Sequence, residues 1–174
     1  MKEIIFEHTK IRAVPGDITE ITDTEAIVNA ANTSLLGGGG VDGAIHRAAA
    51  DLLKECRHLH GCETGQAKIT GAYHLPCRYV IHTVGPIWHG GNRNEEALLS
   101  SCYQTSLELA VEHGIRSVAF PSICTGVYRF PVDKAAEIAL NTAKRFIKDH
   151  PDKLDMVEWV LFDDQTLRAY EQVI

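Results

Sequence analysis

No apolar run in this chain approaches the roughly 18 residues that a membrane-crossing helix needs, so a transmembrane protein is not expected. Met1 to Arg12 lacks the apolar segment of a secretory signal, which predicts a cytosolic protein. Cysteine is scarce, odd in number and unevenly spaced at Cys56, Cys62, Cys77, Cys102 and Cys124, a pattern of reduced thiols and not of a disulfide framework. A basic excess is also missing: 17 Lys and Arg face 23 Asp and Glu, for a net charge of −6. That balance excludes a protein that grips nucleic acid mainly through its phosphates, while leaving room for a nucleotide in a pocket. Internal repeats, low-complexity tracts and linkers are absent too. A chain of 174 residues, 45% hydrophobic, builds one well-buried core, so a single domain over 1–174 is expected.

What is present in quantity is glycine, concentrated in one place. Asn29 to Arg47 reads NAANTSLLGGGGVDGAIHR, between an apolar strand at Ala26–Val28 and a helical pattern over Val41–Cys56. Glycines permit positive φ and close approach of a ligand to the backbone, so Gly37 to Gly40 can turn successive N–H groups toward an anion. The following helix adds the positive end of its dipole. Asp42, at that helix start, reads either as a cap or as a reactive group held still. The string Gly38-x-Gly40-x-x-Gly43 matches a dinucleotide fingerprint, but Ala30 to Leu36 separate it from the strand, against a hydride-transfer fold. The loop has no lysine and no GK[ST] ending, against a triphosphate-and-magnesium site.

Strands are expected at Ile4–Glu7, Ile11–Val14, Tyr79–Val84, Ser117–Phe120 and Met156–Phe162, and helices at Glu95–His113, Val132–Ile147 and Gln165–Val173. Ala67–Ala72, after a turn at Thr64–Gln66, carries no decided element. Gly114 ends the second long helix. Strands alternating with helices predict a three-layer α/β/α fold. Two loops, Thr33–Gly43 and Ser122–Tyr128, each follow a strand and open a helix, so both are expected at the carboxyl edge of one sheet, facing each other across a crevice.

Backbone amides without a lysine suit a diphosphate diester, which carries only two charges. Asp17, after Pro15-Gly16, is a turn residue or an acceptor for an exocyclic amine at a strand end. Phe162 packs in the core or offers a flat surface to a purine. Asn32 and Asp42 together can hold a water against a substrate carbon. A carboxylate beside the positive end of a helix suits orienting a water better than taking its proton. That favours a reaction with a good leaving group, such as cleavage at an anomeric carbon. Cys124 as a nucleophile has no neighbouring His or Asn to activate it. His46 reads as a surface or packing residue, and the segment Cys56-Arg-His58-Leu-His60-Gly-Cys62 has metal-ligand types without a recognised ligand spacing.

Gly16-Asp17-Ile18, Asn29-Ala-Ala-Asn32, the GGGGVDG run ending at Gly43, His82-Thr-Val-Gly-Pro86 and Thr125-Gly-Val-Tyr128 together resemble a macrodomain of the MacroD-type branch. The resemblance runs from Gly16 to about Phe162 and implies a mixed central sheet between helices, with a cleft for ADP-ribose. It implies that Asp17 and Ile18 meet the adenine, that Phe162 stacks on it, and that Asn29 positions the ribose. Gly38, Gly39, Gly40 and Val41 would hold the diphosphate and distal ribose with Ser122, Ile123, Cys124, Thr125, Gly126, Val127 and Tyr128. It further implies hydrolysis of ADP-ribose esters, on acidic protein side chains and in O-acetyl-ADP-ribose, with Asn32 and Asp42 as catalytic residues and no metal or cofactor. Mono-ADP-ribosylated proteins are then the expected partners, and an ADP-ribose reader without turnover is the alternative. Arg129 and Ala50 stand where the branch usually has glycine, and Arg129 is expected to narrow the cleft or favour an acidic substrate.

Overall fold

A computed structural model describes all residues, Met1–Ile174. Seven strands form one mixed sheet: β1 (Lys2–Phe6), β2 (Thr9–Pro15), β3 (Ala26–Ala31), β4 (Ala67–Gly71), β5 (Tyr79–Val84), β6 (Ser117–Phe120) and β7 (Met156–Leu161). Their spatial order is β1-β2-β7-β6-β3-β5-β4. The five central strands run parallel, and β1 and β4 pair antiparallel at the two edges. Parallel strands covered on both faces need apolar residues on both sides, and the chain supplies them with a period of two. In β3, Ala26 and Val28 join a cluster of 29 buried residues, while Ile27 and Ala31 join a second of 16. In β7, Val157, Trp159 and Leu161 face the first cluster and Val160 the second.

Helices α3 (Glu95–Glu112), α4 (Val132–Asp149) and α5 (Asp164–Val173) cover the larger cluster. Helices α1 (Gly40–Ala48) and α2 (Leu52–His58) cover the smaller, together with a 3-10 turn at Ile18–Glu20. On α4 the apolar stripe Ala135, Ala136, Ala139, Leu140, Ala143 and Phe146 is buried as its spacing predicts. No helix is long and apolar enough to cross a membrane.

One expected element is wrong as read. The pattern over Val41–Cys56 is two helices, because Ala49 leaves the helical region at φ −129°, ψ 74°. The apolar register survives the break: Ile45, Ala49, Leu52 and Cys56 all reach the same core, whereas Ala48 turns outward. On α3, Leu99, Cys102, Tyr103, Ser106 and Ala110 form the buried side, with Leu98 and Leu109 only half-buried.

The topology sets the place of any site. From β3 the chain passes through α1 and α2 to the edge strand β4, turns back into β5 beside β3, and then crosses by α3 to β6 on the other side of β3. The connections leaving adjacent strands β3 and β6 therefore diverge, which opens a crevice at their carboxyl ends. The ends of β2, β7 and β5 lie along the same edge, so Gly16-Asp17-Ile18, Phe162 and Gly85-Pro86 arrive there as well.

Candidate functional site

The crevice is a cleft of about 400 Å³ lined by Ala30, Ala31 and Asn32 from the end of β3, by Gly38 to Asp42, by Gly85, and by Ser122 to Cys124 with Gly126 to Tyr128. Both sequence-predicted loops meet across it. No backbone amide from Gly38 to Gly40, or from Ile123 to Tyr128, donates a hydrogen bond within the chain. The walls thus offer N–H groups from two sides, an arrangement suited to an anion.

Each loop is held by something specific. On the first, Asn32 Oδ1 accepts from the backbone N–H (3.2 Å) and hydroxyl (2.6 Å) of Ser34. Asn32 Nδ2 donates to Gly37 O at 2.9 Å. One hydrogen of that amide remains for a ligand. Gly43 lets α1 approach the loop, since a Cβ there would sit 2.6 Å from Gly38 O. On the second loop, Cys124 takes a left-handed turn at φ 70°. The Ser122 hydroxyl bonds Thr125 Oγ1 at 2.7 Å and Tyr170 Oη at 3.0 Å, fastening the loop to α5. Burial pushes the Tyr170 phenol up to about 12, so it stays neutral. Burial pushes the Cys124 thiol far above the usual range, which opposes the thiolate a nucleophile needs. Its sulfur packs where a side chain at position 85 would stand, 2.0 Å from an imagined Cβ, which only glycine allows.

At the floor, Asp42 lies in the first turn of α1 and is buried. It is not the cap, a position that falls to Gly39. Asn29 Nδ2 donates to Asp42 Oδ1 at 2.8 Å, and Asp42 Oδ2 has no partner in the chain. His46 Nε2 stands 3.3 Å from Oδ1, close enough for electrostatic attraction but out of line for a hydrogen bond. His46 thus packs beside Asp42, half-buried and off the cleft wall. The free Asp42 oxygen and the Asn32 amide both crowd Gly38, 3.1 and 3.3 Å from where a Cβ on that residue would stand, so a side chain there would press on both.

Behind Asp42 a polar relay runs into the sheet. Asn29 and His82 are register partners on β3 and β5, both fully buried. The second hydrogen of Asn29 Nδ2 points to His82 Nδ1 at 3.1 Å, and His82 Nε2 lies 2.9 Å from Thr70 Oγ1, which donates to Gly71 O at 3.0 Å. This pattern requires the tautomer with the proton on Nε2. Burial, and after it the nearby His46, push His82 down to about 3, so the ring stays neutral. Sequence reasoning passed over His82 as a site residue. Only the strand register reveals it.

Other predicted residues lie beside the cleft. Asn29 sits under Asp42 and does not line the cleft wall. Asp17 Oδ1 accepts from the N–H (2.9 Å) and hydroxyl (2.6 Å) of Thr19, and Ile18 is buried. Phe162 is 88% exposed at the end of β7, next to the end of β2. Val127, on the second loop, is 91% exposed. Arg129, left-handed at φ 62°, lines a different cavity on the outer side of its loop, with Phe130, Val132, Asp163 and Thr166. It does not narrow the cleft. All five cysteines are unpaired. Cys56 faces His82 inside the fold while His58 and His60 point outward, so the ligand types of that segment do not converge.

Residues 28–139 match the family model described as Macro domain. The chain is 54% identical over 169 residues to a macro domain-containing protein of Chlorobaculum tepidum, covering 97% of each. It is also 54% identical over 165 residues to the ADP-ribose glycohydrolase MACROD2 of Xenopus laevis, covering 94% of this chain but 39% of that protein. Among solved structures, the Oceanobacillus iheyensis macrodomain with ADP superposes with a TM-score of 0.93 at 43% identity, covering 99% of this chain and 93% of that one. The Trypanosoma brucei macrodomain in complex with ADP-ribose does so at 0.88 and 44%, covering 93% and 68%.

Proposed function

The chain belongs to the macro domain family, and on that premise we propose that it binds ADP-ribose and hydrolyses its esters with acidic protein side chains and with acetate. The two amide-lined loops would take the diphosphate. Phe162, an aromatic ring left bare beside Asp17, would stack on adenine while the carboxylate accepts from the exocyclic amine. Relatives and neighbours whose names speak of ADP-ribose support this reading. The chain spans 39% and 50% of the two vertebrate glycohydrolases it matches.

The observation that carries turnover, beyond binding, is the state of Asp42. A buried carboxylate oxygen without a hydrogen-bond partner is costly, and holding a diphosphate does not require it. It is the natural acceptor for a water, and Asn32, whose Nδ2 keeps one free hydrogen, lines the same cleft. Such a water would add through its oxygen to the carbon of the ester linkage. The bond to the leaving oxygen then breaks, the electron pair leaves with it, and a water proton passes to the departing group through Asp42 or solvent. The products are ADP-ribose and a free carboxylic acid. Asn29 and His82 do not touch substrate in this scheme; they fix the Asp42 carboxylate from behind.

The test is release of ADP-ribose from a mono-ADP-ribosylated glutamate peptide and loss of acetate from O-acetyl-ADP-ribose, with and without chelator, beside calorimetric binding of ADP-ribose. Turnover that survives the chelator is expected. Asp42→Ala should lose at least about a hundredfold in rate while holding ADP-ribose within a few-fold. Tight binding without turnover of either ester would overturn the hydrolase and leave a reader.

A further inference from the structure

Next to the catalytic floor lies a second cleft of about 360 Å³ that shares Asn32, Gly85 and Tyr128 with the first. Its base is apolar, from Val84, Pro86 and Leu98, and its rim carries His89 and Arg93. The segment that bears these two residues is built rigidly. Glu95, buried at the start of α3, accepts the backbone N–H groups of His89 (2.8 Å), Gly91 (2.9 Å) and Arg93 (2.5 Å). Burial opposes the charge on Glu95, yet these three donors hold its carboxyl down to about 2. Trp88 N–H donates to Tyr128 O at 2.8 Å, and the Trp88 ring stands 4.7 Å from that of Phe130, which joins the segment to the second loop.

We propose that this second cleft is the subsite for the modified polypeptide, and that it takes an acidic peptide segment around the ADP-ribosylated residue. The inference rests on the hydrolase reading. With the diphosphate between the two loops and the ester at Asn32 and Asp42, the acyl group leaves through the shared wall at Asn32, Gly85 and Tyr128. The apolar base then meets the methylenes of a glutamate, and the rim meets the flanking chain. Arg93 has no carboxylate partner within 4.0 Å, in a protein of net charge −6. Glu95 also lines the cleft, but its oxygens are occupied by the three amides and its side chain is out of contact with solvent. An unpaired guanidinium at the rim selects for carboxylates on the partner and against lysines.

The experiment compares two substrates that share ADP-ribose and differ in the acyl side: a mono-ADP-ribosylated glutamate peptide with acidic flanks, and O-acetyl-ADP-ribose. Arg93→Glu should raise KM for the acidic peptide roughly tenfold, with the acetyl ester and ADP-ribose affinity unchanged. The same peptide with lysine flanks should be a poor substrate for the wild type and improve with Arg93→Glu. The Arg93 side chain is exposed and only its backbone N–H serves Glu95, so the variant keeps its fold. Equal effects on both esters, no effect on either, or wild-type turnover of the acetyl ester alone would overturn the subsite. Wild-type turnover of neither would overturn the hydrolase reading, and the subsite with it.

Discussion

Asn29→Ala separates an indirect catalytic role from a binding role most cleanly. Asn29 is fully buried, donates to Asp42 Oδ1 at 2.8 Å and faces His82 Nδ1 at 3.1 Å, and does not line the ligand cleft. Removing its amide leaves a buried carboxylate oxygen and a buried ring nitrogen without their donor. A buried group deprived of its partner costs on the order of 1–3 kcal/mol, and hydrogen bonds to charged groups lie at the upper end. The loss of the unpaired Asn29 Oδ1 offsets part of this, so a net destabilisation of about 3 kcal/mol is expected. For a chain of this length that lowers Tm by roughly 6–12 °C. The catalytic effect is separate: the carboxylate is no longer held toward the water, and losing one charged hydrogen bond from the transition state slows kcat roughly 10- to 100-fold. The assay is ester turnover at a temperature where the variant is folded by circular dichroism, with ADP-ribose affinity measured on the same sample. An affinity loss as large as the loss in kcat/KM would show that Asn29 contacts the ribose itself, and an unchanged kcat would remove the relay from the mechanism.

Phe162→Ala should weaken ADP-ribose binding by roughly fivefold to a hundredfold, the range of one base stacked on an aromatic ring, with little loss of stability because the ring is already exposed; an unchanged Kd in calorimetry would place the adenine elsewhere. Glu95 gives a pH prediction with a definite sign. Its folded carboxyl is held at about 2 against an ordinary 4.5, so the stabilisation is fully present above about pH 4.5 and is lost as pH falls through 2. Urea unfolding of the wild type and Glu95→Gln across that range should give a constant gap at neutral pH that closes toward pH 2, and a gap that widens on acidification would refute the assignment.

The parts of the fold that announce themselves in the sequence are those whose signal is local. Tyr79–Val84 and Ser117–Phe120 are short apolar runs stopped by Gly-Pro and by Pro, and both are strands over those residues. The four glycines and the Thr125-Gly-Val-Tyr128 run announce two ligand loops for the same reason, since the backbone conformation they permit is written in the residue type. The break at Ala49 is invisible because Ala48-Ala-Ala50 are good helix formers, and only the geometry of the core they cover separates α1 from α2. The edge strand β4, AKITG, is mostly half-buried on both faces, so its alternation is too shallow to read. Arg129 fails differently: its position in the string is beside the cleft, but a left-handed turn sends its side chain to the other side of the loop. The relay behind Asp42 lies further still from local signal. Asn29 and His82 are 53 residues apart, and each alone is a polar residue in an apolar strand, an apparent fault in the pattern. Pairing β3 with β5 in one register turns the two faults into a single buried hydrogen-bond network that ends on the carboxylate. Polar residues that spoil a parallel strand are therefore informative as a set, because burying them is most tolerable where they meet one another, and here the Asn29 amide N–H groups and the His82 ring do so behind the residue proposed to hold the water, leaving only Asn29 Oδ1 without a partner in the relay.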